Sequence, residues 1–249
     1  MAGILELSIV IPAYNEEKRV GSTVEAWLGY LSAGDVAGEI VVSDDGSSDR
    51  TREIVSEIGL RDPRVRLLDA RANTGKGGAV RDGVMAAQGQ VVAYVDADLN
   101  ISPAHMDPLR SLLESGVADV VIGRRKLSEY ASEESSIERV LAGAAVQATR
   151  RVLLFATISD TQAGFKGFRR DTARQIFGQA TVDSFAFDLE VIFIARRLGA
   201  RIVQMPVSVE YRPGSTYNVR THLPPFLRDI VRIRWNALRR RYPTGSVRP

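Results

Sequence analysis

Two aspartates one residue apart, Asp96-Ala97-Asp98, follow the apolar run Val91-Val92-Ala93-Tyr94-Val95 and precede Leu99-Asn100. A short β-branched run of this kind predicts a buried strand. If the chain stays extended, alternation places Asp96 and Asp98 on one side and Ala97 on the other. Two carboxylates that close repel each other unless a cation or a hydrogen-bond donor lies between them. Hard oxygen donors in an incomplete shell suit Mg²⁺ or Mn²⁺, which keep water and draw further ligands from substrate phosphates. Asp96, Asp98 and the amide of Asn100 therefore read as a metal–diphosphate site at the carboxyl end of a strand.

Rival chemistries fit less well. A calcium loop needs Gly where Ile101 stands, Glu where Asp107 stands, and a helix rather than a strand ahead of it. A phosphatase with an aspartyl nucleophile is expected to carry its Asp-x-Asp on the first strand, and this strand is the fourth. An isolated Asp-x-Asp can also be a plain turn or cap, so the elements around it decide.

Those elements alternate strand and helix. Leu7–Pro12, Glu39–Ser43, Val65–Leu68, Val91–Val95 and Asp119–Gly123 read as strands, separated by helical periodicity, which predicts an α/β fold with a mainly parallel sheet. In such sheets ligands bind beyond the carboxyl ends of the strands. Pro12–Glu16, Asp44–Asp45, Lys76, Asp96–Asp98 and Arg124 all lie at such ends. The first turn, Pro12-Ala13-Tyr14-Asn15-Glu16-Glu17, lacks the Gly-x-Gly-x-x-Gly of a dinucleotide site. Asn73-Thr74-Gly75-Lys76-Gly77-Gly78 lacks the spacing of a nucleotide-triphosphate loop. It can still offer N–H groups and a lysine to an anion at a helix start. Asp49 reads as a helix cap, whereas Asp44-Asp45 exceeds what capping needs, so at least one of that pair is expected to face a ligand.

Composition sets outer bounds. The 249 residues suffice for one full core, and the absence of cysteine excludes disulfides and thiolate metal sites. The net charge is only +3, but arginine gathers at the carboxyl end. The amino terminus does not read as a signal peptide, and no apolar run approaches the roughly 20 residues of a membrane span. Lys126 to Ser136 reads as a mobile loop, Ile137 to Phe155 as a helix, Phe187–Leu198 as another, and Ile202 to Tyr211 as an edge strand because of Pro206.

Together these motifs resemble the inverting GT-A glycosyltransferases of family 2. The likeness is carried by Ser8-Ile9-Val10-Ile11-Pro12-Ala13-Tyr14-Asn15-Glu16-Glu17, Val42-Ser43-Asp44-Asp45-Gly46-Ser47-Ser48-Asp49-Arg50-Thr51, Asn73-Thr74-Gly75-Lys76-Gly77 and Asp96-Ala97-Asp98. Asp160-Thr161-Gln162-Ala163-Gly164-Phe165-Lys166-Gly167-Phe168 and Phe185-Ala186-Phe187-Asp188-Leu189-Glu190 look like the polyprenyl-phosphate (dolichyl-phosphate) glucosyl- and mannosyltransferase branch. The resemblance implies a GT-A domain over 1–223, with a nucleotide-binding half to about 125 and an acceptor half over 126–223, followed by a helical extension over 224–249. It implies a nucleotide-sugar donor, UDP-glucose or GDP-mannose, and a polyprenyl-phosphate acceptor. Pro12, Tyr14, Glu16, Asp44 and Asp45 would line the base and ribose pocket, with Asp96 at the ribose, Ala97 also at the nucleotide sugar and Lys76 near the diphosphate. Asp98, with Asp96 and Asn100, would hold Mg²⁺ or Mn²⁺. Arg124, Arg139 and Lys166 would meet the acceptor phosphate or the diphosphate. Asp188 or Glu190 would act as base if the acceptor were a hydroxyl. A soluble hydroxyl acceptor and a non-catalytic nucleotide-sugar binding module are the alternative readings.

The segment Phe226–Tyr242 reads as an amphipathic helix. One stripe carries Phe226, Leu227, Ile230, Val231, Ile233 and Leu238, and another Arg228, Arg232, Trp235 and Arg239. Such a helix suits an anionic membrane surface, with Phe226, Ile230 and Ile233 expected to insert, and it carries no motif for reading nucleic acid. The expectation is an enzyme held peripherally on the cytoplasmic face of a membrane.

Overall fold

The computed structural model describes residues 5–69, 72–125, 158, 160–209, 219–242 and 244–245, with side chains of the last helix from 225 onward. The order is β1 (Leu7–Ala13), α1 (Val20–Ala33), β2 (Gly38–Asp44), α2 (Thr51–Arg61), β3 (Val65–Asp69), α3 (Lys76–Ala86) and β4 (Val91–Val95). A short 3-10 turn (Pro103–His105), α4 (Met106–Glu114), β5 (Val120–Arg125) and β6 (Phe165–Arg169) follow. The chain then forms α5 (Arg170–Phe177), α6 (Phe187–Arg197), β7 (Ile202–Val207) and α7 (Val219–Leu238). Ile137 to Phe155 and the loop before it lie outside the described residues.

The strands form one sheet in the order β3-β2-β1-β4-β6-β5-β7. Every pairing is parallel except those of β6, which runs antiparallel to both β4 and β5. Residue-by-residue alternation divides the core between the two faces. Leu7, Ile9 and Ile11 of β1 pack with α1, α2 and α4, whereas Val10 packs with α3, α5, α6 and α7. Strands buried on both faces explain the near-continuous apolar runs. The edge strand β7 places Pro206 opposite Arg124, where a missing N–H costs little.

Two expectations need correction. Phe165–Arg169 is a full strand inserted between β4 and β5, not only a stretch near the site. Its two glycine-flanked aromatics give little period-two signal, so only its neighbours reveal it. The carboxyl-terminal helix also starts before residue 224 and belongs to the core. Phe226, Ile230, Ile233 and Tyr242 are buried in the cluster built by α3, α5 and α6, so Phe226, Ile230 and Ile233 are closed to lipid.

Candidate active site

The chain leaves the sheet at Val95, and Leu99 takes a left-handed φ of 52°. Asp96-Ala97-Asp98 is therefore a turn and not a continuing strand. A branched residue held in that region costs on the order of 1 kcal/mol and persists only where its surroundings enforce it. The turn points Ala97 into the core, its carbonyl accepting from Thr23 Oγ1 at 2.6 Å, and brings Asn100 back onto Asp98. The Asn100 amide nitrogen donates to the Asp98 carboxylate, and its Oδ1 is buried with no hydrogen-bond partner among the described residues.

Asp96 is held from two sides. Its backbone N–H donates to the Gly164 carbonyl at 3.0 Å, and a Cβ on Gly164 would stand 1.8 Å from its Oδ2. Only glycine lets β6 begin so close beneath this carboxylate. Lys76 Nζ donates to its Oδ1 at 2.6 Å. Burial alone would raise the Asp96 pKa, but the Lys76 charge and hydrogen bond, assisted by Lys166 and Arg125, hold it below the ordinary value. Asp98 goes the other way, pushed up first by burial and then by the Asp96 charge. Glu16 is also raised, mainly by burial, with Asp98 and Asp96 adding repulsion that Arg19 opposes through a 2.8 Å ion pair. Glu16, Asp96 and Asp98 thus form an acidic group with excess negative charge.

Lys76 is seated by the loop before it. Gly75 has φ 99°, and a Cβ there would stand 2.5 Å from the Asp183 carbonyl. Asp45 locks this loop by accepting from Thr74 N at 2.7 Å, Thr74 Oγ1 at 3.1 Å and Gly75 N at 2.8 Å. Asp44 is fully buried, and its Oδ2 accepts from Gly46 N and Ser47 N while its Oδ1 has no hydrogen-bond partner among the described residues. At the neighbouring ends of β1 and β2, Asn15 with φ 55° receives Ser48 N at 2.9 Å, and Glu16 N donates to Thr51 Oγ1 at 2.8 Å. Asp49 accepts from Thr51 N and Glu17 N, so it both caps α2 and ties the loops together. Pro12 is buried in β1, and Tyr14 projects at the strand end with 49% exposure, free to offer its ring face.

The geometry corrects several assignments. Lys166 is fully buried, donating to Asp188 Oδ1 at 2.6 Å and the Ala163 carbonyl at 2.7 Å. It cannot touch a diphosphate or an acceptor, and acts on the site only through its charge on Asp96. Burial lowers its pKa, against the opposing pull of Asp188. Asp188 is buried too and accepts from both Lys166 and the Tyr94 hydroxyl, so it is badly placed to take a substrate proton. Glu190 lies still farther inside, accepting from Thr181 N, Thr181 Oγ1, Val182 N and Tyr242 OH. With four donors on it, Glu190 is an internal anchor and not a base. Arg124 is exposed at the end of β5, and Arg139 lies outside the described residues.

Arg125, which the sequence does not single out, forms a two-pronged pair with Asp160, Nε–Oδ2 at 2.7 Å and Nη2–Oδ1 at 2.9 Å, and its charge reaches Asp96. Nothing local marks a partner 35 residues away. Among the described residues no three His, Cys, Asp or Glu side chains form a metal cluster. The residues nonetheless fit a partial hard-cation shell. Asn100 presents a buried oxygen without a donor, and Asp98 bears a negative charge that its surroundings resist. A cation there would complete its shell with water and ligand phosphates.

The glycosyl transferase family 2 model matches residues 8–177. A dolichyl-phosphate beta-glucosyltransferase of Trichomonas vaginalis is 33% identical over 238 residues, covering 91% of this chain and 72% of that protein. The Homo sapiens dolichyl-phosphate beta-glucosyltransferase is 31% identical over 266 residues, covering 98% of this chain and 78% of that protein. Among solved structures, a glucosyl-3-phosphoglycerate synthase from Mycobacterium tuberculosis, in complex with Mn²⁺, UDP and phosphoglyceric acid, matches with a TM-score of 0.65. That match has 21% identity and covers 98% of this chain and 80% of the other. At that identity it speaks for the GT-A fold alone.

Proposed function

Since this chain belongs to glycosyl transferase family 2, we propose that it transfers glucose from UDP-glucose to a polyprenyl (dolichyl) phosphate with inversion at the anomeric carbon. The relatives of about 30% identity are named as glucosyltransferases acting on dolichyl phosphate, which favours UDP-glucose over GDP-mannose. The observation that carries the acceptor class is the state of the helix carboxylates. Asp188 and Glu190 are both buried under internal donors, which supports an acceptor that needs no helix carboxylate as base. A phosphate monoester, with a second pKa near 6, needs none: it arrives ionised.

In this reading the Tyr14 ring and the loops at Asn15 and Asp44–Ser48 receive the uridine. A carboxylate offers about four lone-pair positions, and the Thr74–Gly75 loop uses three on Asp45, leaving one for a base N–H. Asp96, Asp98 and Asn100 hold a divalent cation, for which the Mn²⁺ and UDP of the fold neighbour are a parallel. Such a cation supplies charge stabilisation to the departing diphosphate. Lys76 keeps Asp96 ionised and fixes its Oδ1. An acceptor phosphate oxygen attacks the anomeric carbon opposite the diphosphate. The new carbon–oxygen bond forms as the old one breaks, and its electron pair leaves with UDP. Arg124, exposed near the carboxyl end of β5, is the cation this reading assigns to the anionic acceptor.

Thermal denaturation with nucleotide sugars tests the donor half directly. UDP-glucose with Mn²⁺, at 100 times its dissociation constant, should add about 2.7 kcal/mol of stability. GDP-mannose under the same conditions should add little. Equal stabilisation by both would remove the uridine assignment.

A further inference from the structure

The last helix presents a second amphipathic face, distinct from the one the core uses. With Phe226, Ile230, Ile233 and Asn236 turned inward, Val231, Trp235 and Leu238 stand 63%, 53% and 72% exposed. At about 100° per residue these three share roughly a third of the helix circumference with Arg228, Arg232 and Arg239. All three arginines are exposed, and the Arg239 guanidinium lies 4.6 Å from the Trp235 ring centroid. From residue 225 to 242 the sequence holds six arginines and one acid, Asp229, which is buried and pairs with Arg228 at 3.5 Å. The outer face is therefore apolar on one side and cationic on the other, and among the described residues of this helix the one carboxylate, Asp229, is buried.

We infer that this outer face of α7, with Val231, Trp235 and Leu238 inserting and Arg228, Arg232 and Arg239 beside them, docks the enzyme on an anionic lipid bilayer. Charge complementarity selects the occupant. Arginines match acidic headgroups, and a tryptophan with one polar edge suits the headgroup–acyl boundary. A nucleic-acid partner would use the arginines but leave Val231 and Leu238 in water. The face is also mechanically joined to the site. Tyr242, just beyond α7, donates to Glu190 at 2.6 Å, and Glu190 holds Thr181 and Val182. The neighbouring Asp183 carbonyl accepts from Gly77 N at 2.8 Å, beside Lys76. The docking inference rests on and deepens the lipid-acceptor reading, since it would hold the enzyme where a lipid acceptor resides, but it is testable without any acceptor.

The chain contains two tryptophans, and Trp27 is 1% exposed in the core, so fluorescence changes on lipid binding report Trp235. The full chain is titrated with vesicles of phosphatidylcholine mixed with phosphatidylglycerol, and with phosphatidylcholine alone. The mixed vesicles should blue-shift the emission, and brominated acyl chains should quench it. The charge-reversed pair Arg232→Glu and Arg239→Glu should lower the partition coefficient about tenfold or more, an effect that salt diminishes. The pair Val231→Ser and Leu238→Ser keeps the reporter and should lower partition about tenfold at any salt. Both variants should keep the thermal stabilisation by UDP-glucose with Mn²⁺, which separates loss of docking from loss of the donor site. No blue shift with anionic vesicles, or equal partition of wild type and both variants, overturns the inference. A blue shift produced equally by duplex DNA, and no quenching by brominated lipid, overturns it in favour of nucleic acid.

Discussion

Lys76 Nζ and Asp96 Oδ1 lie 2.6 Å apart, joining the first residue of α3 to the residue that follows β4. The pair is partly open to solvent, with side-chain exposures of 24% and 32%, so its worth is well below that of a sealed pair. Lys76→Met should cost about 1–2 kcal/mol at neutral pH. Asp96 is held below its ordinary pKa of 3.8, so the pair's stabilisation is present above that value and lost as pH falls through the folded pKa. Urea unfolding at neutral and acidic pH should show the wild-type advantage shrinking with acid. A pH-independent difference would mean that Lys76 contributes packing and not charge.

Asp98 has the opposite sign. Burial and Asp96 raise its pKa, so the folded protein binds the proton more tightly and loses stability as pH rises above about 3.8 through the folded value. Asp98→Asn should therefore stabilise the metal-free protein at neutral pH, by about 1–2 °C for a chain of this size. The gain should fade toward acid. In the same melts Mn²⁺ should stabilise wild type and leave the variant unmoved. A variant that melts lower than wild type at neutral pH would contradict the crowded-carboxylate account.

The Lys166–Asp188–Tyr94 group is a buried charge cluster beneath the site. Lys166→Met alone leaves Asp188 in a dry interior without its cation, and should cost about 3–5 kcal/mol. Adding Asp188→Leu should recover a large part of that loss, since both charges are then gone. Denaturation of the two single variants and the double variant measures the coupling. Additive losses would show that the pair is not an interacting unit.

Glu190→Gln separates anchor from base. It weakens charge-assisted hydrogen bonds from Thr181, Val182 and Tyr242, so stability should drop by about 1–3 kcal/mol. Turnover per folded molecule should stay within about threefold, because the carboxylate touches no reacting atom. A collapse in turnover with an unchanged melting temperature would restore Glu190 as a base.

Much of this was legible in the residues, and the exceptions share a cause. β-branched runs and turn chemistry placed the first five strands, because those signals are local. Asp96, Asp98 and Lys76 were readable as neighbours because they sit at ends of strands or starts of helices in one parallel sheet. Long-range pairing was not readable. Lys166 looks like a surface cation until β6 is seen threaded between β4 and β5, which buries it against Asp188. Glu190 looks catalytic until Tyr242 arrives from 52 residues away. Helical spacing showed α7 to be amphipathic but drew its apolar stripe too broad, because Val231 and Leu238 fall outside the part that meets the core. Ile230 and Ile233 won that contact, and Val231, Trp235 and Leu238 were left outside.

The central claim is glucose transfer from UDP-glucose to a lipid phosphate through the Asp96–Asp98–Asn100 site. The full chain is incubated with UDP-glucose labelled in the sugar, Mn²⁺ and polyprenyl phosphate, and the products are partitioned between water and organic solvent. The account predicts label in the organic phase as a single β-linked glucose, UDP released in equal amount, no such product from GDP-mannose, and none with Asp98→Asn. Label that stays in water while UDP is released, or lipid product formed equally well by Asp98→Asn, would contradict it.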